Sequence, residues 1–424
     1  MRLRHKLLYG AAYFGVSTLT ETVLLWAMKF YSPPADSGDI VYLSLRLFGV
    51  AVIIGRGVDA VADPLVGHWS DRARTSWGRR KPFIAAGTLP LAAAFVLLWT
   101  PPVQGASVVN FVYCLAVLCA FFFFFTVVVC PYLALLPEVA RTPRDRVTLA
   151  AWQGFFGLLG LVAGGVGSSV LIHAVGFRVM SVVLGAVSVV ALAAVLLVPS
   201  RRTAEPVTMP LRDALRYTLN NPPFRIFIVG FLLFWVGLRM ILATVAYMAS
   251  VFVGAGEMAM ASLMGYALAG AAACFPLLVV GVRRWGQARM MMLFMLIFIG
   301  AVPLLGTIGL WPGLSAAGQA RLILTICGLP LAGMVVLPTA ILAGITDDDE
   351  RRTGVRREGM YFGVQGFLVK LAMGLGAALA ALQMSVLGNT VANPLGLRLL
   401  GVVAAAITAV GLAVFRRFPR EAIE

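Results

Sequence analysis

The chain has 424 residues, of which 60% are hydrophobic and 12% charged, and a mean hydropathy of +0.93. A soluble core stops growing long before it can hide that much apolar surface, so a soluble domain is excluded and a bilayer is the fitting solvent. The formal net charge of +16, from 34 Lys+Arg against 18 Asp+Glu, does not indicate nucleic acid, because no basic face alternates with stacking aromatics.

Runs of about twenty apolar residues predict an all-α polytopic membrane protein with twelve transmembrane helices. They centre near Leu19, Ile54, Leu91, Phe121, Leu159, Val189, Val236, Ala269, Leu296, Met334, Met373 and Ala406. The first run is too long for a signal-peptide core and is counted as a span. Segments that an even number of spans places on the side of the termini hold 26 of the 34 Lys and Arg residues. The positive-inside bias therefore predicts cytoplasmic termini, in an inner or plasma membrane. The longest connection on that side, 199–223, divides the chain into an N-terminal bundle, 1–198, and a C-terminal bundle, 224–424, of six spans each. Two echoes support a duplication: Trp77-Gly78 recurs 208 residues later as Trp285-Gly286, and Gln153-Gly154-Phe155 recurs 212 residues later as Gln365-Gly366-Phe367. The halves are expected to be pseudo-symmetric and to share one membrane orientation. Cys114, Cys119, Cys130, Cys274 and Cys327 lack paired spacing and read as small core hydrophobes.

Charges at mid-bilayer are costly unless they face a cavity or a partner, so they point to function. In span one, Glu21 stands among Ser17, Thr18, Thr20 and Thr22, and a cavity-facing role is favoured over a structural carboxyl. In span two, Arg56, Asp59 and Asp63 are spaced i, i+3 and i+7, one helical stripe. Two carboxylates and one guanidinium leave a net negative site, suited to a proton or to a hard ion such as sodium. The competing reading is an intrahelical Arg56–Asp59 pair that only braces packing. Between spans two and three, Asp71, Arg72, Arg79 and Arg80 form an acidic-basic cluster able to latch neighbouring helices in one state. Trp152 and Gln153 in span five, and Tyr361 and Gln365 in span eleven, are expected to line a cavity. Arg239 in span seven and Lys370 in span eleven can hold an anionic or hydroxyl-rich substrate, or pair with the carboxylates of the first half. The run Asp347 to Glu350 reads as a solvated, self-neutralising loop. No P-loop, His-Glu zinc motif or G-x-S-x-G turn is present, so ATP hydrolysis and hydrolase chemistry lack support.

These residues carry a resemblance. Gly67 to Lys81 resembles the loop signature between helices two and three of the major facilitator superfamily. Arg56-x-x-Asp59-x-x-x-Asp63-Pro64-x-x-Gly67, followed by Trp77-Gly78-Arg79-Arg80-Lys81-Pro82, is similar to the glycoside-pentoside-hexuronide:cation symporters, the melibiose-carrier relatives. Pro131 to Glu138, and Arg356-Arg357-Glu358-Gly359 with Lys370, fit the same family. The resemblance implies the major facilitator fold and a cation site of Asp59, Asp63 and Thr126, with Lys370 near it. The sugar-binding positions depart from the pattern. Val16-Ser17 stands where melibiose-type members have a Lys-Asp pair, Val129-Cys130 where they have an aspartate before the span-four proline, and Gln153-Gly154 near their span-five arginine. Glu21 is one turn beyond Ser17 on the same face and is expected to replace the missing span-one carboxylate.

The expected function is cation-coupled symport, driven by Na+ or H+, of a small organic solute, foremost a sugar or glycoside. Alternating access would expose a site near the bilayer midplane between the six-helix halves. No cofactor beyond the coupling ion, no nucleic acid and no enzymatic activity are expected; membrane lipids surround a monomer. Within the same fold, the alternative is a lysolipid-like or other amphiphilic solute. Outside it stand an uncoupled channel and an intramembrane prenyltransferase. The latter is suggested by the Asp59-x-x-x-Asp63 spacing, which can hold magnesium against a diphosphate.

Overall fold

In the computed structural model, which describes residues 3–73, 75–140, 143–199, 211–254, 256–354 and 358–419, every regular element among the described residues is helical. The helices are α1 (Leu3–Tyr31), α2 (Leu45–Arg72), α3 (Lys81–Leu97), α4 (Val108–Val139) and α5 (Pro143–Val162), then α6 (Ser168–Ala194), α7 (Leu211–Asn220), α8 (Pro222–Leu242), α9 (Val245–Phe252) and α10 (Glu257–Trp285). After them come α11 (Gln287–Ala301), α12 (Ala316–Thr353), α13 (Glu358–Leu387) and α14 (Leu395–Phe415). Polar caps set several starts: Ser44, Ser107, Asn221 and Ser315 each accept a backbone N–H from the first turn of α2, α4, α8 and α12.

Among the described residues, eight helical segments are long and apolar enough to cross a membrane. One of them, Thr148–Leu197, has 50 residues, about 75 Å of helix at 1.5 Å per residue against a hydrocarbon layer of about 30 Å. At Gly176 its backbone leaves the helix, with φ 77° and ψ 172°, a conformation open to glycine. The segment is therefore two passes, spans five and six. Three more helices complete the twelve. α1 is made polar by its threonines and Glu21, α2 carries the charges of the stripe, and α3 has only 17 residues. Span seven combines α8 and α9, with α10 to α14 forming spans eight to twelve.

The chain divides into two compact units, Met1–Pro33 with Gly38–Val207, and Pro34–Ser37 with Thr208–Glu424. In the first, span one packs on spans five and six, span four on spans two and three, and span three on span six. In the second, span seven packs on spans eleven and twelve, span ten on spans eight and nine, and span nine on span twelve. Each half thus repeats one pairing scheme. The echoed glycines share a backbone role: Gly78 (φ 95°) and Gly286 (φ 80°) each turn the chain from one span into the next.

Small residues let the helix backbones approach. A methyl group on Gly160 would meet the Phe14 carbonyl oxygen at 2.5 Å, and one on Gly328 would run into that of Ala267. Such close contact is the usual basis of helix association in lipid. The acidic run Asp347 to Glu350 is not a loop, as expected from its charge, but the last turns of α12. Asp349 is buried there and accepts from the Tyr217 hydroxyl (3.3 Å), an anchor for α7.

Candidate functional site

The span-two stripe lies inside the first unit, with Arg56 and Asp59 buried and Asp63 half-buried. Arg56 Nη1 donates to Asp59 Oδ2 at 3.1 Å, and the Thr126 hydroxyl of α4 donates to Asp59 Oδ1 at 2.5 Å. Both carboxylate oxygens are therefore engaged. The guanidinium carbon sits 4.2 Å from the Phe122 ring centre, a cation–π contact favoured where water is excluded. Pro64 follows Asp63 within the helix; lacking an N–H, it leaves the Ala60 carbonyl without its i+4 bond. One turn away, the Cys130 thiol lies 3.9 Å from the Asp63 carbonyl oxygen. Carboxylate, hydroxyl and carbonyl oxygens of this kind suit a hard cation. The intrahelical pair and the threonine contact thus occur together, on the same carboxylate.

Glu21 is half-buried on α1 and acts electrostatically on Arg56 of α2 and on Tyr13 of its own helix. Its neighbourhood is set by the packing of span one on span five. The would-be methyl of Gly164 meets the Thr18 carbonyl oxygen and Glu21 Cβ, and that of Gly160 meets Ser17 Cβ. Gly164 belongs to a π-helical segment, Ala163–Gly167, inserted between α5 and α6. There the Thr22 hydroxyl reaches the Gly164 carbonyl (3.4 Å), and Trp26 Nε1 donates to Ser168 Oγ (3.0 Å). Such bulges leave carbonyls needing new donors and frequently mark functional sites. Trp152 meets Phe155 edge-on and Phe156 at a tilt, and Gln153 beside it is half-buried.

In the second unit Arg239 is buried, its guanidinium 5.0 Å from the Trp235 ring centre. The would-be methyl of Gly376 on α13 meets the Val236 carbonyl oxygen and Arg239 Cβ, the same arrangement that Gly164 has with Thr18 and Glu21. Gly164 and Gly376 stand 212 residues apart, the offset of the Gln153 and Gln365 echo. Glu21 and Arg239 are therefore repeat-equivalent positions carrying opposite charge. Gln365 and Lys370 are half-buried on α13. Tyr361 is buried at the start of α13, where its hydroxyl accepts from Asn221 Nδ2 (2.8 Å) and its ring meets Phe224 edge-on, so it braces the starts of spans seven and eleven. Where the first unit has its charged stripe, spans eight and ten close up through Gly270 and Gly328.

At the end of span two, Arg79 Nε donates to Glu138 Oε1 at 2.6 Å, with Arg80 Nε 3.5 Å from the same oxygen. Arg80 Nη1 also donates to Ser70 Oγ at 2.6 Å. The cluster ties the loop between spans two and three to the ends of spans two and four. Arg72 is exposed; the side chain of Asp71 lies outside the described residues. Glu138 and Ser70 were not singled out from sequence, although Glu138 ends the span-four stretch that carries part of the resemblance.

A family model described as MFS/sugar transport protein matches residues 8–419. The isoprimeverose transporter of Lactiplantibacillus pentosus is 26% identical over 91% of this chain and 80% of its own. Two further matches are partial. Symporter sll1374 of Synechocystis sp. is 32% identical over 37% of this chain and 29% of its own, and sodium-dependent lysophosphatidylcholine symporter 1-A of Danio rerio is 30% identical over 30% and 24%. Among solved structures, the nucleoside transporter NupG superposes with a TM-score of 0.71 over 99% of both chains at 14% identity, a likeness of fold alone. With twelve helical passes in two repeated units and a family match over nearly its whole length, the chain belongs to the MFS/sugar transport family, an integral membrane transporter and not an enzyme.

Proposed function

We propose that this protein is a secondary active transporter coupling the inward flow of a cation, sodium or a proton, to symport of a small organic solute, a sugar or glycoside, by alternating access. The observation that carries this reading is the buried Arg56–Asp59–Thr126 constellation. In the cation-free state Arg56 serves as internal counter-ion to Asp59. A cation taking oxygens from Asp59, Asp63, Thr126 and the Ala60 carbonyl displaces that guanidinium, which then turns to hydroxyl or anionic groups of the solute. Ion and solute binding favour one state together, and their coupling is reciprocal. Glu21, Ser17, Trp152 and Gln153 in the first unit, and Arg239, Tyr361, Gln365 and Lys370 in the second, are the residues for recognition or coupling. Asp71, Arg72, Arg79 and Arg80 serve the gate, and residues 199–223 join bundles 1–198 and 224–424.

The test is uptake by proteoliposomes under an imposed sodium or proton gradient. Asp59→Asn should abolish gradient-driven accumulation of the solute while exchange at equal concentrations on both sides survives in part. Accumulation equal to the parent protein's would remove Asp59 from the coupling site. A second reading, a lysolipid-like solute, is favoured by Val16-Ser17 and Val129-Cys130 at the sugar-type positions, and by the partial similarity to a lysophosphatidylcholine symporter. Including a lysolipid beside glycosides in the same assay separates the two.

A further inference from the structure

The loop between spans two and three and the end of span six border an open cavity of about 710 Å³, beside the Arg79–Glu138 pair of the proposed gate. Thr75, Trp77, Arg79 and Lys81 form one wall; Leu196 and Leu197 form the other. Arg79 and Lys81 set two cationic side chains against the single lining carboxylate, Glu138. That carboxylate is already gripped by Arg79 and Arg80. Lys81 is half-buried and enters no ion pair among the described residues. It also opens α3, whose N-cap, Arg80, supplies no side-chain acceptor to the first turn, so the positive helix end adds to the same field.

The apolar wall continues out of the cavity. Val183, Val187, Val190 and Leu197 are exposed at the spacing of one helical face, so on a membrane span they present a track to acyl chains. Trp77, 62% exposed, has the amphipathic ring that settles at headgroup level. A soluble phosphate has no use for the apolar track, and a zwitterionic lipid does not complement the positive excess. We infer that this cavity binds the headgroup of an anionic phospholipid, its phosphate held by Lys81 and Arg79 and its acyl chains lying along span six.

The experiment uses the whole protein in nanodiscs of phosphatidylcholine, with phosphatidylglycerol added at increasing mole fraction. The acyl chains of one or the other lipid are brominated, so that they quench nearby tryptophan. Trp77 emission is taken as the difference between the parent and Trp77→Phe. Brominated phosphatidylglycerol should quench it at lower mole fraction than brominated phosphatidylcholine, and Lys81→Gln should weaken that preference about fivefold. Equal quenching by the two lipids, or a preference unchanged in Lys81→Gln, overturns the proposal. Relief of quenching by millimolar glycerol phosphate or inorganic phosphate assigns the cavity to a soluble anion and overturns the lipid. If Lys81→Gln fails to insert, native mass spectrometry of the parent released from mixed nanodiscs decides. Retention of phosphatidylglycerol over phosphatidylcholine supports the proposal, and no such retention overturns it.

Discussion

At the scale of single residues, Asp59 is held from two sides. A hydrogen bond to a charged group contributes about 1.5–3 kcal/mol, so removing the Thr126 hydroxyl should weaken a cation site far more than it disturbs packing. Thr126→Val is expected to lower apparent cation affinity by roughly tenfold or more, and Thr126→Ser to restore it, in uptake measured against cation concentration. Equal behaviour of the two variants would mean that the hydroxyl serves the helix contact alone. Glu21 calls for a different variant. From mid-helix its carboxylate reaches neither interface, and burying it unpaired in lipid is too costly; the charge of Arg56 on α2 acts in the opposite sense. Glu21→Gln keeps shape and removes the titratable group, so the expected outcome is an altered pH profile of uptake in a normally inserted protein. An unchanged profile would make Glu21 a packing residue.

At the scale of helices, the sequence made the spans legible because a bilayer admits little but helices of apolar residues. The predicted centres at Leu19, Phe121 and Met334 fall near the middles of α1, α4 and α12. What the sequence hid was local. The acidic run at the end of α12 looked solvated by charge alone, yet Tyr217, distant in sequence, buries Asp349. The equivalence of Glu21 and Arg239 is hidden in the sequence because their separation, 218 residues, matches neither echo; the contacts of Gly164, between α5 and α6, and of Gly376 on α13 reveal it. The Asp59–Thr126 contact came from the family resemblance, since spacing within α2 says nothing about α4. Glycine packing gives a direct test. Gly160→Ala pushes a methyl to 2.5 Å from a backbone oxygen, whereas Gly154 has open space around it. Overpacking costs about 1–3 kcal/mol, so Gly160→Ala should lower the thermal midpoint in detergent by several degrees and Gly154→Ala should leave it near the parent value. A Gly160→Ala protein as stable as Gly154→Ala would mean that spans one and five separate without loss.

At the scale of the whole molecule, one pairing scheme occurs twice, but only one copy carries the charged stripe. Spans two and four meet through Asp59 and Thr126, whereas spans eight and ten meet through glycine and carbonyl oxygen. Duplication thus supplied two scaffolds, of which the first carries the carboxylate and hydroxyl oxygens of the proposed ion site. The charge distribution predicts the sense in which the chain is threaded through the bilayer. With 26 of 34 basic residues in alternate connections, translocating those segments would carry many Lys and Arg side chains across the membrane, so the positive-inside bias predicts that they lie in the cytoplasm. Single cysteines can report this against a background in which all five native thiols are buried or half-buried. Ala106, exposed between spans three and four, and Pro419, exposed after α14, belong to opposite sides in a twelve-span chain. In intact cells, Ala106→Cys should react with a membrane-impermeant maleimide and Pro419→Cys should react only after permeabilisation. Reversed labelling would invert the orientation, and labelling of both in intact cells would break the even count of spans.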